Sequence, residues 1–240
     1  MKIDKGLYVL ELGTEERRMH LTLIFDDENV ILIDAGLPAQ LQYIREEMNK
    51  AGVEFERINK IIITHHDLDH IGSLASVINN SHNKIEVLAH SEEKPYIEGD
   101  KMPIKYTQER LSSIPEDRRN AMIEQIRTLK KSKVDRTIED EEELNYCGGI
   151  KIIHTPGHTL GHICLYLEKY KTLVSGDALN VVNGKLVGPK PEYTFNMTQA
   201  MESLKKLTKY DIEKVICYHG GVFTNSPNER IAEIINSINI

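Results

Sequence analysis

The segment Thr64-His65-His66-Asp67-Leu68-Asp69-His70 concentrates histidine and aspartate side chains within a few residues. The preceding run, Lys60–Thr64, is rich in isoleucine and predicts a short strand, and Ile71–Ile78 after it predicts a helix. Side chains two residues apart in an extended loop point to the same side. Because clustered histidines and aspartates are typical metal ligands, we predict a metal site here. The alternative is a polar loop in which Asp69 caps the following helix.

Three later segments also place a histidine or an aspartate where a predicted strand ends. His158 follows a Pro-Gly turn, Asp177 follows a Ser-Gly dipeptide, and His219 follows the strand predicted over Val215–Tyr218. Asp34 ends another predicted strand. Each position is a weak signal alone, but functional side chains concentrate on loops at strand ends. Together they predict a site along one edge of a scaffold with two sheets.

In this order, the segments resemble the metallo-β-lactamase superfamily over nearly the whole chain. The first motif of that family is Thr-His-x-His-x-Asp-His, and later single residues complete its signature. The residues that carry the resemblance are Thr64, His65, Asp69, His70, His158, Asp177 and His219. The resemblance implies an α/β (α+β) protein with the four-layered αβ/βα sandwich of this superfamily, and hydrolytic chemistry.

The resemblance also implies two divalent metal ions, zinc by family. By analogy, one metal is held by His65, Asp67 and His158 and the other by Asp69, His70 and His219, with Asp177 bridging them. A metal-bridging hydroxide would then attack the carbonyl of a lactone, thioester or other ester in a small substrate. Asp69 and Asp177 are the expected catalytic residues, and Asp69 is also expected to carry a proton.

Asp67 departs from the family pattern, which usually has a second histidine at this position. Glutamate occurs there in di-iron relatives, so an anionic ligand is chemically workable. The additional carboxylate balances the charge of the two metals and should make the bound water less acidic. It should also shift the metal preference from zinc towards manganese or iron, which favour oxygen ligands.

A metal-dependent hydrolase is the function that the sequence favours, and three alternatives remain open. An iron-dependent oxidoreductase is suggested only by Asp67. A nuclease of the same superfamily is disfavoured by the net charge of −7, since nucleic-acid binding depends on basic surfaces. A metal-binding protein without catalytic activity is disfavoured because the other ligand positions are retained.

The rest of the chain predicts one domain, 1–240, with a helical insertion at about 91–143 that forms a substrate lid or a homodimer interface. Apolar runs are too short for a membrane helix, and the N-terminus lacks a signal peptide, so we expect a cytoplasmic protein. The residues Cys147, Cys164 and Cys217 are expected to be buried and reduced. Residues 179–193 are expected to form a loop. Further strands are predicted at Leu7–Leu12, His20–Phe25, Ile85–Ala89, Ile150–Ile153, Ile163–Leu167 and Thr172–Val174, and further helices at Met197–Leu207 and Glu229–Ile238.

Several other side chains receive weaker predictions. His66 should support the site or lie on the surface, because alternation directs it away from its neighbours. His162 should be a buried hydrogen-bond partner of its loop, and Asp34 should support the metal loops. The candidate substrate contacts are Tyr96, Tyr106, Tyr193 and Phe195, and the histidines without a spacing signal are His20, His82, His90 and His154.

Overall fold

Two β-sheets face each other through apolar side chains in the computed structural model, which describes residues 1–14, 18–106, 111–112 and 114–237. In the first sheet the strands lie side by side in chain order. They are β1 (Lys2–Asp4), β2 (Leu7–Leu12), β3 (Met19–Phe25), β4 (Val30–Ile33), β5 (Lys60–Ile63), β6 (Glu86–His90) and β7 (Arg136–Ile138). Strands β1 to β4 pair antiparallel, and β4 to β7 pair parallel.

The second sheet is built by the C-terminal part of the chain. The strands from there on are β8 (Glu143–Leu144), β9 (Ile150–His154), β10 (Ile163–Leu167), β11 (Thr172–Val174), β12 (Asn180–Val182), β13 (Lys185–Val187), β14 (Lys214–Cys217) and β15 (Gly221–Phe223). The sheet order is β15-β14-β11-β10-β9-β8, and β12 and β13 form a separate hairpin. Only the pair β11 and β14 is parallel among the pairings of this sheet in the described residues.

Helices cover the outer surfaces of the sheets. They are α1 (Leu41–Lys50), α2 (Leu68–Ile71), α3 (Leu74–Asn79), α4 (Lys94–Ile97), α5 (Glu116–Thr128), α6 (Met197–Leu204) and α7 (Pro227–Asn236). Short 3₁₀ turns occur at Phe55–Arg57, Glu168–Tyr170, Pro191–Tyr193 and Lys205–Lys209. In the part of the chain that the structure describes, no helix combines the length and apolar character needed to cross a membrane.

Successive side chains of the central strands point into different apolar cores. In β5, Ile61 and Ile63 pack in the core that includes the buried face of α1, whereas Ile62 points between the two sheets. In β9, Ile152 points between the sheets and Ile153 packs in the core that includes α6 and α7. Each such buried side chain stabilises the fold by about 1.5–3 kcal/mol. The order of helices, sheet, sheet and helices confirms the predicted four-layered αβ/βα sandwich.

Two segments differ from the sequence prediction. The insertion at 91–143 is only partly helical, because it contains α4 and α5 but ends in β7 and β8. These strands are two or three residues long, too short for a detectable alternation of apolar side chains. The predicted loop over 179–193 contains the hairpin of β12 and β13. The predicted domain also includes residues 15–17, 107–110, 113 and 238–240, which lie outside the described residues, as does the predicted helix end at Ile238.

The cysteines are buried and are not joined by disulfide bonds, as the sequence predicts. Burial raises the pKa of Cys147, Cys164 and Cys217 to about 12. Because the thiolate is the reactive form, these side chains act as small packing groups in the cores.

Candidate metal centre

Histidine and aspartate side chains from loops at the edge of both sheets converge in the structure. They are His65, Asp67, Asp69, His70, His158, Asp177 and His219, the set that the sequence predicts. Their ligand atoms form groups in which every pair lies within 4.8 Å. One group corresponds to the first predicted metal position, and a second corresponds to the other. Asp177 forms a third group with His65 and His70. The structure therefore brings the predicted residues together, and their role as ligands stays a prediction.

Asp34 anchors the loop that follows β5. It has a φ angle of 64°, in the left-handed region that residues other than glycine rarely adopt. Its carboxylate accepts hydrogen bonds from the backbone nitrogen of Thr64 at 2.8 Å and from the Thr64 hydroxyl at 2.9 Å. Oδ2, the oxygen that accepts from the Thr64 hydroxyl, also lies 2.9 Å from Nδ1 of His70. Asp34 therefore orients the imidazole of His70 so that Nε2 faces the site.

The histidines present the same ring nitrogen, Nε2, to the centre. Nδ1 of His65 lies 3.0 Å from the Thr64 hydroxyl, and its Nε2 lies 3.3 Å from an oxygen of Asp67. Nε2 of His158 lies 3.0 Å from the same Asp67 oxygen. Nε2 of His219 lies 3.2 Å from Oδ2 of Asp69. Histidines that bind metals usually have the other ring nitrogen hydrogen-bonded, as His65 and His70 do here.

The Pro-Gly turn before His158 depends on glycine. Gly157 has a φ angle of 131°, and a Cβ atom there would lie only 2.1 Å from the backbone nitrogen of Ala200 in α6. The Gly157 carbonyl accepts a hydrogen bond from the backbone nitrogen of Asn196 at 2.8 Å. Asn196 also caps α6 by accepting a hydrogen bond from the backbone nitrogen of Gln199. The loop is therefore held against the start of α6, which fixes the position of His158.

His162 positions Asp177. It is fully buried, and its Nδ1 lies 2.8 Å from the hydroxyl of Thr155. Its Nε2 accepts a hydrogen bond from the backbone nitrogen of Asp177 at 3.1 Å. Burial and the neighbouring His158 lower the pKa of His162 to about 3, so the ring is neutral and Nε2 can accept. The prediction that His162 is a buried partner of its loop is confirmed.

Tyr218 packs against His70 at the centre, a role that the sequence does not predict. Its ring stacks on His70 with centroids 3.8 Å apart. Its hydroxyl donates a short hydrogen bond to the backbone carbonyl of Asp69. Burial, together with Asp69 and Asp34, raises the pKa of Tyr218 well above its ordinary value, so this hydroxyl keeps its proton. The position of Tyr218 directly before His219 is the one available sequence signal.

Ligand atoms without a hydrogen-bond partner lie at the centre of the site. Nε2 of His65, Nε2 of His70 and Oδ1 of Asp177 are buried and have no hydrogen-bond partner among the described residues. Buried polar atoms in folded proteins nearly always have one. Imidazole and carboxylate groups are suitable ligands for zinc, manganese and iron. The residues therefore fit the metal ions that the fold family implies.

The electrostatic environment also favours bound cations. Burial lowers the pKa of His70, but Asp34, Asp69 and Asp177 outweigh this effect and raise it well above the ordinary value. Burial also tends to raise the pKa of Asp177, yet the imidazoles of His70 and His158 hold it well below its usual range. The carboxylate of Asp177 thus stays ionised and contributes to a negative potential at the centre.

Lys105 lies in the segment between α4 and α5. Its ammonium group places a positive charge within this negative potential. Its ammonium group forms a short ion pair with Asp67 and lies 2.7 Å from Nε2 of His158. Lys105 and the imidazole of His65 keep the pKa of Asp67 well below its usual range, although burial acts in the opposite direction. A metal held by His65, Asp67 and His158 needs the same ligand atoms. Lys105 is therefore a competitor for this position, which no motif in the sequence indicates.

Glu93 connects the segment that carries His65 and Asp67 with the loop that carries His158. Its buried carboxylate accepts hydrogen bonds from the backbone nitrogen of His66 at 2.8 Å and from the Thr159 hydroxyl and the Gly161 backbone nitrogen, each at 2.7 Å. Burial tends to raise the pKa of Glu93, but His66 lowers it below the ordinary value, so the carboxylate is ionised. His66 pairs closely with this carboxylate and stacks on Tyr96 at 4.3 Å. The surface location considered for His66 is therefore wrong, whereas a supporting role agrees with its contacts.

The remaining candidates separate into two groups. Tyr96, Tyr106 and Tyr193 line a cavity beside the centre, whereas Phe195 donates its backbone nitrogen to the carbonyl of His158 at 3.3 Å. Among the histidines without a spacing signal, none belongs to the groups of possible ligands found in the described residues. His90 and His154 stack on each other, His82 is exposed, and His20 lies 3.2 Å from the Tyr218 carbonyl.

Comparison with known proteins agrees with this geometry. The family model described as the metallo-beta-lactamase superfamily matches residues 20–219. The chain is 27% identical over 212 residues to the probable metallo-hydrolase YflN of Bacillus subtilis (strain 168), covering 81% of this chain and 76% of that protein. It is 26% identical over 227 residues to the hydroxyacylglutathione hydrolase GloC of Haemophilus influenzae, covering 92% and 94%.

The similarity extends to solved structures. The metallo-beta-lactamase family protein TTHA1429 from Thermus thermophilus superposes with a TM-score of 0.79 at 20% identity, over 99% of this chain and 80% of that one. At this identity the superposition supports the fold alone. The family match, by contrast, spans every predicted ligand from His65 to His219. The chain belongs to the metallo-β-lactamase superfamily.

Proposed function

We propose that the protein is a metal-dependent hydrolase with two metal positions, which attacks the carbonyl carbon of a small thioester, lactone or other ester and breaks its bond to the leaving sulfur or oxygen. The observation that carries the proposal is the position of Asp177. Its oxygens lie 3.3 Å from Nε2 of His158, 3.4 Å from Nε2 of His70 and 3.6 Å from Nε2 of His219. Asp177 thus contacts members of both ligand groups, as a bridging residue must.

The residues would divide the work as follows. The first metal position consists of His65, Asp67 and His158, and the second of Asp69, His70 and His219, with Asp177 shared. Divalent metal ions bound there lower the pKa of a water molecule towards neutrality and polarise a carbonyl oxygen. The burial of His65, His70, His158 and Asp177 keeps the geometry of the inner side of the site fixed.

Asp69 is the residue we assign to proton transfer. Its side chain is 30% exposed and lines the cavity, so Oδ2 can be reached by both a water molecule and a substrate leaving group. That oxygen can accept the proton of the attacking water and return it to the departing oxygen or sulfur. Asp177 is 7% exposed and faces histidines, which suits a structural ligand better than a proton carrier.

A small-molecule substrate with a thioester or lactone bond is favoured over nucleic acid. GloC and a second relative, from Bdellovibrio bacteriovorus, are named as hydrolases of hydroxyacylglutathione, in which an acyl group is carried on glutathione. The net charge of −7 disfavours binding to a polyanion. We also propose a cytoplasmic location, and a homodimer remains a proposal that the oligomeric state in solution would test.

Metal analysis joined to substrate screening tests the proposal. The purified protein would be analysed for bound metals, then assayed with zinc, manganese and iron on a panel of thioesters, lactones and esters. We expect about two metals per chain and hydrolysis that a chelator abolishes. His70→Ala should lose metal and activity, while His82→Ala, at a histidine that is 90% exposed, should keep both.

The identity of the metal is tested by Asp67→His. Because histidine removes one carboxylate, this change should shift the activity from manganese or iron towards zinc. Two tightly held zinc ions and activity with zinc alone in the unchanged protein would contradict the preference for harder ions. Metal binding without turnover of any substrate would contradict the hydrolase itself.

A further inference from the structure

A cavity of about 320 Å³ opens beside Asp67 and Asp69. One wall is the segment from His66 to Ile71, and the opposite wall comes from described residues of the inserted chain between Tyr96 and Lys131. Asp67 and Asp69 therefore place one end of the cavity at the candidate metal centre. A group bound in the cavity would lie next to the atoms that carry out the proposed reaction.

The walls of the cavity are mainly apolar. Side chains that line it from the inserted segment include Leu111, Ile114, Met122, Ile126 and Leu129. Ile126 is 4% exposed, whereas Met122 and Leu129 are only half-buried, so the apolar surface is open to a ligand. Tyr193 lines the cavity from the other side, on the 3₁₀ turn after β13, and is 57% exposed. The polar lining groups include Lys105 and the aspartates beside the metal centre.

The volume sets the size of the group that fits. A cavity of about 150 Å³ holds a benzene molecule, and ligand sites usually measure about 300–1,000 Å³. The volume of this cavity is about twice that of the cavity that holds benzene. It therefore corresponds to an aliphatic chain of roughly six to ten carbons. A polar carrier such as a peptide thiol would leave its hydrogen-bonding groups unpaired against these walls.

We infer that this cavity is an acyl pocket, and that the substrate is an ester or thioester with an unbranched apolar acyl chain of about six to ten carbons. This inference rests on the proposed hydrolase function. Hydrolysis transfers the hydroxyl of water to the carbonyl carbon as the bond to oxygen or sulfur breaks. The remaining proton goes to the leaving atom, so no further reactant is needed. The acyl chain occupies the pocket while the leaving group points towards solvent.

The size of the pocket is tested with a series of acyl thioesters and p-nitrophenyl esters. Their acyl chains run from acetyl to dodecanoyl. We expect kcat/KM to rise about threefold per added methylene and to level off at about eight to ten carbons, because each buried methylene contributes a similar transfer free energy. A rate that is independent of chain length, or highest for acetyl, would overturn the inference.

Substitutions in α5 test whether the acyl chain binds in this cavity. Met122→Trp fills the pocket, so kcat/KM for the octanoyl ester should fall about 30-fold while that for the acetyl ester changes less than about twofold. Met122→Ala enlarges the pocket and should move the optimum to longer chains. The matched control is Gln125→Trp, an exposed position in the same helix, which should leave the series unchanged. Equal losses in Met122→Trp and Gln125→Trp would overturn the inference.

Binding without turnover separates this inference from the proposed function. Calorimetric titration with decanoate should show binding that Met122→Trp weakens at least about tenfold and Gln125→Trp does not. If decanoate binds in this way but no ester is hydrolysed, the pocket stands and the hydrolase proposal fails. If esters are hydrolysed without dependence on chain length and decanoate does not bind, the hydrolase stands and the pocket fails.

Discussion

The two sheets contribute to the candidate metal centre in different ways. The first sheet supplies His65, Asp67, Asp69 and His70 from one continuous segment after β5, which includes the start of α2. The second sheet supplies His158, Asp177 and His219 from separate loops that follow β9, β11 and β14. One half of the site is therefore local in sequence, whereas the other half exists only when three strands are paired in the correct order.

This difference shows which contacts orient the side chains in each half of the site. In the first half, chain geometry alone brings the side chains near one another, and Asp34 with Thr64 completes their orientation. In the second half, orientation depends on contacts distant in sequence, such as the packing of Gly157 against Ala200. Substitutions of residues that connect the halves should accordingly reduce activity and metal binding more than substitutions that affect one metal position.

Asp177→Ala should have the largest effect, because Asp177 is the side chain in contact with both ligand groups. We expect kcat/KM to fall at least about 10³-fold and bound metal to fall by at least half. The free energy of unfolding of the metal-free protein at neutral pH should fall, since, despite burial, His70 and His158 hold the pKa of Asp177 below its usual range and the substitution removes these favourable contacts. Elemental analysis, kinetic assays and urea unfolding measure these quantities.

The control for this change is Asp27→Ala, at an exposed aspartate in the turn between β3 and β4. It should alter neither metal content nor activity. If Asp177→Ala retained full metal content, the two halves would bind metals independently, and Asp177 would not connect them.

Glu93→Gln should have the next largest effect, because Glu93 joins the loop of the first sheet to the loop of the second. An amide cannot accept all the hydrogen bonds that the carboxylate accepts from His66, Thr159 and Gly161. We expect a loss of about 2–4 kcal/mol in the free energy of unfolding and a metal affinity about 10- to 100-fold weaker. Urea unfolding and metal titration measure the two effects.

Glu92→Gln is the matched control, since Glu92 is the exposed neighbour in the same turn. It should change the free energy of unfolding by less than about 0.5 kcal/mol. Loss of stability without loss of metal affinity in Glu93→Gln would mean that the contact braces the fold and not the site.

Lys105→Met should have the smallest effect, limited to the first metal position. Removal of the ammonium group frees Asp67 and His158 from a competing cation, so metal affinity at this position should rise by up to about tenfold. Competition with a chromogenic chelator measures this affinity. Lys133→Met, at an exposed lysine beyond α5, should leave it unchanged. Weaker metal binding in Lys105→Met would show that Lys105 supports the site and does not compete for it.

The sequence identifies the side chains that converge at the candidate metal centre, and it identifies two supporting residues, Asp34 and His162, but not Glu93, Lys105 or Tyr218. His65 and Asp67 are recognisable because their spacing is short, and His158 because it follows a Pro-Gly turn before a strand. Glu93 and Lys105 carry no such signal, since each reaches the site from a segment whose placement depends on the folding of the inserted chain. The strands β7 and β8 escape prediction for a related reason: two or three residues acquire strand geometry only by pairing with a neighbour.

By itself the sequence determined most of the strand and helix segments, and the order of its motifs implied the layer order through their resemblance to the metallo-β-lactamase superfamily. It also determined the identity of the candidate ligands, because those side chains follow strands that must end at one edge. Tertiary structure alone decided what surrounds them: the carboxylate of Glu93, the ammonium of Lys105 and the apolar cavity beside Asp69. Such contacts join residues far apart in the chain, and their distances depend on packing that no local pattern encodes.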